Sequence, residues 1–346
     1  MSEQQKLAKG YNMEELLRNY FLKSGYFVVR GVQFIYEGFE VTDIDLWLYS
    51  KTSSLNREIV IVDSKNKKTP QAIERIFWIQ GLKNAVKASN AVIATTDRRP
   101  EVKNFGKKMN VTVLDGNFLS RITKSEDSFS ARLTDEEFIS LFVSYDLGKL
   151  DGDWKSQITQ AKNLLSSGLS FDNCNRLLNI GHFFANQSII RENQRQLALR
   201  SLYLTLSFFI ISIDYTIREI SFQDQQDRTK LLKEGFTFGS NGEKGFSNML
   251  KISLGLIENN IKEGKAISRQ ISYNIKKQFD ELNTDILAEY LSRNDVSNSL
   301  FSTAKEFENM AMSKNFKHHN SASLEARSML FCLLDFWKIQ RSYFTK

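Results

Sequence analysis

The pattern of apolar and polar positions divides the chain into two parts. Before about residue 120, short runs rich in β-branched and aromatic side chains alternate with stretches of helical period. After about residue 150, patterns with a period of roughly 3.6 residues dominate, and β-rich runs are almost absent. We therefore predict an α/β domain over residues 1–122, a connection over residues 123–155 and an all-helical domain over residues 156–346.

Three helices are predicted in the first part. Asn12–Lys23 carries an apolar stripe of helical spacing. Thr69 and Pro70 supply an N-cap and a first-turn proline for a second helix that continues to about Ala88. A third helix is expected near Glu101–Lys108.

Five strands are predicted in the first part; the first three show alternating hydrophobicity and are separated by turn-like stretches, whereas the fourth is a short buried run. They are predicted at Phe27–Tyr36, Val41–Tyr49, Glu58–Ser64, Ala91–Thr96 and Val111–Leu114, the last closed by a turn at Asp115-Gly116. With the helices, these strands give the order αβββαβ followed by one more helix and strand. This order predicts a mixed sheet flanked by helices.

Two neighbouring strands carry charged side chains beside apolar ones. Because side chains alternate along a strand, Asp43 and Asp45 share one face of the second strand. On the third strand the apolar run IVIV ends in a segment whose Asp63 and Lys65 also share a face. Charges at such positions are costly unless they are paired or bound to a metal ion, so the pattern indicates a functional site.

The residue types at this site suit metal-assisted hydrolysis. Mg²⁺ prefers hard oxygen ligands, usually one or two carboxylates with substrate phosphate and water, and Asp45 and Asp63 on adjacent strands supply two carboxylates. Beside the metal, Lys65 would orient or deprotonate the attacking water and stabilise charge that develops on the phosphate. We expect Mn²⁺ to substitute for Mg²⁺.

The order αβββαβ, with the segment DIDLW, a hairpin and the segment IVIVDSK, resembles the PD-(D/E)xK nuclease superfamily. The resemblance covers about residues 10 to 120 and is strongest to the resolvase-like and Mrr-like restriction branches. It implies a restriction-endonuclease-like core and a Mg²⁺-dependent endonuclease that cuts DNA in bacterial defence or repair. The second motif reads Asp63-Ser64-Lys65 rather than the commoner Glu-x-Lys, a variant that the superfamily's name allows.

The resemblance also implies an acidic residue from the first helix in the metal site. Glu14 and Glu15 are both candidates. If Asn12 is the N-cap, Glu15 falls at the third helical position and completes a capping box, whereas Glu14 has no such local role. Glu14 is therefore the predicted third metal ligand, beside Asp45 and Asp63.

In this superfamily the helix after the motif often contributes a polar residue. Gln71, Glu74 and Gln80 all fit this position, and Gln80 is the predicted one. The predicted catalytic set is Glu14, Asp45, Asp63, Lys65 and Gln80.

Two alternatives remain open. The same fold hosts catalytically inactive members that only bind nucleic acid or act as scaffolds. In the second part, the segment RLLNIGH places Arg176 and His182 at a spacing that resembles the motif of HEPN-type ribonucleases, although Leu177 replaces the usual polar residue. The pair His318-His319 has no carboxylates at ligand spacing and is interpreted as part of a polar, solvated loop.

The net charge and the expected reaction both suggest binding partners for the protein. The formal net charge is +7, and 18 of the 47 basic but only 13 of the 40 acidic residues lie in the first 120 positions, so the larger excess is there. A basic excess suits a polyanion such as DNA. Cutting both DNA strands would favour a homodimer or an assembly with other defence or repair subunits.

The remaining composition argues for a cytoplasmic protein. Cys174 and Cys332 are too few for a disulfide framework or a four-ligand zinc cluster. The N-terminus has no apolar run behind its charges, as a secretory signal would. Leu202–Ile213 is the most hydrophobic stretch, but a bilayer span takes roughly 20 residues, so we predict a buried core helix and no membrane partner.

Overall fold

A five-stranded sheet forms in the first third of the chain. The structure, a computed structural model, describes residues 9–65, 71–124 and 131–345. The strands are β1 (Phe27–Tyr36), β2 (Phe39–Lys51), β3 (Arg57–Lys65), β4 (Asn90–Thr95) and β5 (Val111–Leu114). They lie side by side in sequence order, with β1, β2 and β3 antiparallel and β3, β4 and β5 parallel. The predicted mixed sheet is confirmed.

Fourteen α-helices lie within the described residues. Four occur among the strands or just after them: α1 (Lys9–Lys23), α2 (Ala72–Ala85), α3 (Pro100–Lys108) and α4 (Gly116–Lys124). The later ones are α5 (Asp135–Val143), α6 (Trp154–Asn163), α7 (Phe171–Ile190), α8 (Arg195–Ile217), α9 (Gln225–Phe238), α10 (Gly242–Asn260), α11 (Gly264–Asp280), α12 (Thr284–Leu291), α13 (Asn294–Met312) and α14 (Leu324–Phe336). An α/β part followed by a helical part is thus confirmed, while the domain boundaries at 122 and 155 stay predictions.

Several predicted element ends differ from the observed ones. The first helix begins at Lys9, three residues before Asn12, so Asn12 lies inside the helix and cannot cap it. Thr69 and Pro70 lie outside the described residues, and the second helix as described begins at Ala72. The expected Asp115-Gly116 turn is instead the start of α4, because Asp115 Oδ1 accepts the backbone N–H of the third helical residue at 2.9 Å.

The two faces of the sheet are covered by different helices. One face packs against α1 and α4 through Leu46, Leu48, Val60 and Val62. The opposite face packs against α2 and the helices of the second part through Trp47, Tyr49, Ile59 and Ile61. Alternate residues of the strands are therefore buried on opposite faces of the sheet. The face that carries Trp47 and Ile61 shares one continuous hydrophobic core with the helical part.

Helix α8 is the centre of the helical part. Every side chain from Leu197 to Asp214 is buried, and α7 and α13 flank the helix. Within the described residues, one helical stretch, Glu192–Ile220, is long and apolar enough to cross a membrane, yet 94% of its apolar window is buried inside the protein. The predicted core helix is confirmed.

A buried ionic cluster joins α8 to the sheet. The carboxylate of Asp214, which is fully buried, accepts hydrogen bonds from Tyr49 Oη at 2.6 Å, Arg57 Nε at 2.8 Å and Lys51 Nζ at 2.9 Å. Burial and the neighbouring Asp214 charge raise the pKa of Tyr49 far above its usual value, so the phenol remains a donor. The cluster ties the outer ends of β2 and β3 to the last turns of α8.

His319 is buried, which corrects the prediction of a solvated loop for this segment. Its Nε2 lies 2.6 Å from the carbonyl oxygen of Phe344, and its Nδ1 lies 2.6 Å from Tyr203 Oη. A carbonyl oxygen can only accept, so Nε2 carries a hydrogen, and in a neutral imidazole Nδ1 then accepts the tyrosine hydroxyl. These contacts hold the ring between α8 and Phe344, and its lowered pKa keeps it neutral at pH 7.

His319 predicts that stability falls in mild acid. Burial lowers the pKa of His319 to about 4, whereas a histidine in the unfolded chain titrates near 6.5. Between these values the unfolded state binds more protons, so this contribution is fully present above about pH 6.5 and is lost as pH falls toward 4, by about 3 kcal/mol in total. Urea unfolding of wild type and His319→Gln at pH 7.5 and pH 5 measures it. The wild type should lose more stability than the variant; equal losses would contradict the assignment.

Candidate active site

Three of the predicted site residues meet where β2 and β3 lie side by side. Leu46 pairs with Val62 in the antiparallel register, so Asp45 and Asp63 are opposite each other on the next pair of positions. Lys65 Nζ lies 3.8 Å from Asp45 Oδ2 and 3.6 Å from Asp63 Oδ1. The two carboxylates and the ammonium group therefore form one cluster, at the carboxyl end of β3.

A small cavity adjoins this cluster. Its volume is about 100 Å³, enough for a few water-sized groups, and it lies between the ends of β3 and β4 and the first turns of α2. The lining residues are Asp63, Lys65, Gln71, Ala72, Arg75, Ile93, Ala94 and Thr95. Asp63 is buried, whereas Lys65 keeps about a third of its side chain exposed, so the carboxylate forms the floor and the ammonium group reaches solvent.

Asp45 is a desolvated carboxylate with few partners. Its Oδ2 accepts the backbone N–H of Ser64 at 2.6 Å. Burial raises the pKa of Asp45 to about 6, and the charges of Asp63 and Glu14 add to this effect, while Lys65 opposes it. A desolvated carboxylate with a raised pKa is stabilised in its charged form by a nearby cation, so Asp45 could serve as a metal ligand.

Arg75 is part of the site, although sequence reasoning did not select it. Its guanidinium group binds both oxygens of Asp63, with Nε 2.8 Å from Oδ2 and Nη2 in contact with Oδ1. The same group lies over the ring of Trp78, 3.9 Å from its centroid. The signal for Arg75 in the sequence is a basic residue one helical turn after Gln71, on the side of α2 that faces the end of β3.

Glu14 approaches the cluster but is bound by an arginine. Arg30 Nη2 lies 2.9 Å from Glu14 Oε2, and the same guanidinium also binds Glu15 and Glu136. Burial raises the pKa of Glu14, and Arg30 opposes the shift. Glu15 does not cap the helix as assumed, because the helix begins before Asn12; it is instead a buried partner of Arg30 and Arg18.

The donor set fits Mg²⁺ only in part. Across residues 9–65, 71–124 and 131–345, no group of three or more His, Cys, Asp or Glu side chains is arranged to hold a metal ion. Mg²⁺ is nevertheless often held by one or two carboxylates together with substrate phosphate and water. Asp45 and Asp63 fit that pattern, whereas Glu14, engaged by Arg30, does not complete it in this arrangement.

Gln80 lies outside the cavity. Its Nε2 donates to the carbonyl oxygen of Met109 at 2.9 Å, and its buried Oε1 has no hydrogen-bond partner among the described residues. Gln80 is more than two helical turns from Gln71, the alternative candidate on this helix, which lines the cavity. Position therefore favours Gln71 over Gln80 as the polar residue that α2 offers the site.

Arg176 and His182 are not brought together within α7. Two residues six positions apart on an α-helix are separated by about 120° around its axis, so the two side chains lie on different faces of α7. Arg176 is exposed in a groove between the β1–β2 hairpin, α6 and α7. His182 stacks on Trp337, with ring centroids 5.7 Å apart, and burial lowers its pKa.

No protein-family model, curated protein or solved structure matches the chain. A function for the chain therefore depends on the chemistry of its own side chains. The middle of β2, the end of β3 and the start of α2 offer two carboxylates, an ammonium group and a guanidinium group at or beside one cavity, a combination suited to a divalent cation and a phosphate.

Proposed function

We propose that the chain is a Mg²⁺-dependent endonuclease that hydrolyses phosphodiester bonds in DNA. The observation that carries the proposal is the cluster in which Lys65 Nζ lies within 4 Å of both Asp45 and Asp63, beside an open cavity. The order of helices and strands around this cluster supports a restriction-endonuclease-like core of the PD-(D/E)xK type. A cluster of two acids and a lysine suits phosphoryl chemistry, because metal-assisted hydrolysis uses carboxylates to hold the cation and a positive group to offset the charge on the phosphate.

In this proposal Asp45 and Asp63 hold the cation. Mg²⁺, when bound, supplies Lewis-acid stabilisation of the phosphate and lowers the pKa of a bound water. Asp63 is buried and Asp45 is half-buried, and the Ser64 N–H fixes the orientation of the Asp45 carboxylate. The short side chain of Asp63 is compatible with this role, because β3 itself places the residue at the floor of the cavity.

Lys65 is positioned to act on the substrate. Its distances to the two aspartates, 3.6 and 3.8 Å, are longer than a direct hydrogen bond, so its three donors are not committed to the carboxylates. Its partial exposure lets it reach a phosphate at the mouth of the cavity. There it would orient the attacking water and offset the negative charge that develops on the phosphate.

The basic excess of the first part favours DNA as the polyanion. Bacterial defence or DNA repair in the cytoplasm is the proposed context. We place no sequence preference on the enzyme, since phosphate contacts carry no base information. A homodimer would allow two such sites to cut both strands.

The test is cleavage of plasmid, linear and single-stranded DNA and of RNA, with Mg²⁺, with Mn²⁺ and with chelator. Wild type and His182→Ala should cut DNA at similar rates, and only when a metal is present. Cutting of RNA alone, lost in His182→Ala, would contradict the proposal in favour of a ribonuclease in the helical part. Metal-independent DNA binding without cutting would instead indicate an inactive member of the fold.

A further inference from the structure

Arg75 occupies the carboxylate on which the proposed function depends. Both oxygens of Asp63 are engaged by the forked guanidinium, and Asp63 itself is only 4% exposed. A cation that binds Asp63 needs at least one of these oxygens. Arg75 and a metal ion therefore compete for the same atoms, and their like charges repel each other across a short distance.

The surroundings of Arg75 allow its guanidinium group to leave without losing all contacts. The group stacks on Trp78, one turn further along α2, and about a quarter of the side chain is exposed. Arg75 also lines the same cavity as Lys65. A guanidinium released from Asp63 therefore remains over the indole ring, beside the cavity in which a phosphate would lie.

A guanidinium group recognises a phosphate in the same way as a carboxylate. Its planar fork presents two parallel N–H donors to two oxygens of either group. The contact with Asp63 is thus one that a substrate phosphate can replace. Lysine, a point charge with rotating donors, does not reproduce this geometry.

From these observations we infer that Arg75 neutralises Asp63 in the metal-free protein and transfers to the DNA phosphate when a divalent cation binds Asp63. The inference rests on the proposed function for its second half only. Its first half, competition between Arg75 and a cation for Asp63, concerns the protein without DNA. This exchange couples metal binding to substrate binding. A bound cation releases Arg75 for the phosphate, and a bound phosphate releases Asp63 for the cation.

The first experiment measures Mn²⁺ binding to the full chain without DNA, by electron paramagnetic resonance. Arg75→Ala should bind Mn²⁺ about tenfold more tightly than wild type, since a charge-assisted hydrogen bond corresponds to roughly that factor or more in an equilibrium. Arg75→Lys should fall between them and serves as the test if the alanine variant folds poorly. Arg98→Ala, an exposed arginine outside the cavity, is the matched control and should bind Mn²⁺ as wild type does.

The second experiment measures DNA cleavage by the same proteins at saturating Mg²⁺. Arg75→Ala should cut about a hundredfold more slowly although it binds metal more tightly, because a donor to the phosphate is lost. A merely structural role for Arg75 would not increase metal affinity. Opposite changes in the two measurements are therefore the signature of the inference.

The outcomes separate the inference from the proposed function. Unchanged or weaker Mn²⁺ binding by both Arg75 variants would overturn the competition, even if the wild type cuts DNA. Tighter Mn²⁺ binding with unchanged cleavage would overturn the transfer to phosphate. Tighter Mn²⁺ binding in a protein whose wild type never cuts DNA would support the competition and overturn the nuclease proposal.

Discussion

Replacing Lys65 with alanine is expected to lower Mg²⁺-dependent DNA cleavage by about 10²- to 10³-fold, the usual effect of losing one preorganised electrostatic group. The melting temperature should hardly change. The lysine is partly exposed, and its ion pairs with Asp45 and Asp63 are long, so they contribute little to the free energy of unfolding. Single-turnover cleavage rates and thermal melts of the same protein batches measure both quantities.

Lys83→Ala is the matched control for Lys65→Ala. Lys83 has similar intermediate burial and lies in the last turn of α2, away from the residues that line the cavity. It should cut DNA at the wild-type rate. A Lys65→Ala protein that remains fully active and folded would remove the central claim, because the cluster would then do no chemistry.

Replacing Asp214 with alanine is expected to lower the free energy of unfolding by about 3 to 5 kcal/mol, the typical cost of breaking a buried ion pair from one side. The cost arises because Arg57, whose side chain is only 2% exposed, would be left with an uncompensated charge. Tyr49 would also lose the acceptor of its 2.6 Å hydrogen bond. Urea unfolding followed by circular dichroism measures the change.

Asp295→Ala is the matched control for Asp214→Ala. Asp295 also pairs with an arginine, at 2.7 Å to Arg293, but both side chains are more than half exposed. An exposed pair of this kind contributes little to the free energy of unfolding, so the variant should be nearly as stable as wild type. Similar losses in the two variants would show that Asp214 does not act as a buried link between the sheet and α8.

The candidate site also depends on a second set of buried charges. Arg30 binds Glu14 of α1 together with Glu136 of α5, and Arg18 of α1 binds Asp135 of α5. The side chains of both arginines are no more than 3% exposed. The helical part thus fixes the orientation of α1 against the sheet, although the residues with the proposed chemistry all lie before position 80.

Local sequence determined most of the α/β part. The predicted strands coincide with the observed ones to within two residues at every end, because the first three alternate, β4 is a short apolar run, and turn-forming residues separate them. The same alternation placed Asp63 and Lys65 on one face of β3, and the antiparallel neighbour brought Asp45 beside them. These features follow from the two-residue period of side chains along a strand and from the short loops between consecutive strands. Both can be recognised in the sequence.

Tertiary structure alone decided the partners of the charged groups. The capping argument that separated Glu14 from Glu15 failed because the helix begins earlier, and the actual partner, Arg30, lies on a different element. His319 is buried because Phe344 and Tyr203 close over it from distant parts of the chain. The hydropathy pattern shows which face of a helix or strand is apolar. The partner of a buried charge depends instead on which helices and strands pack together, and that packing is set only when the core forms.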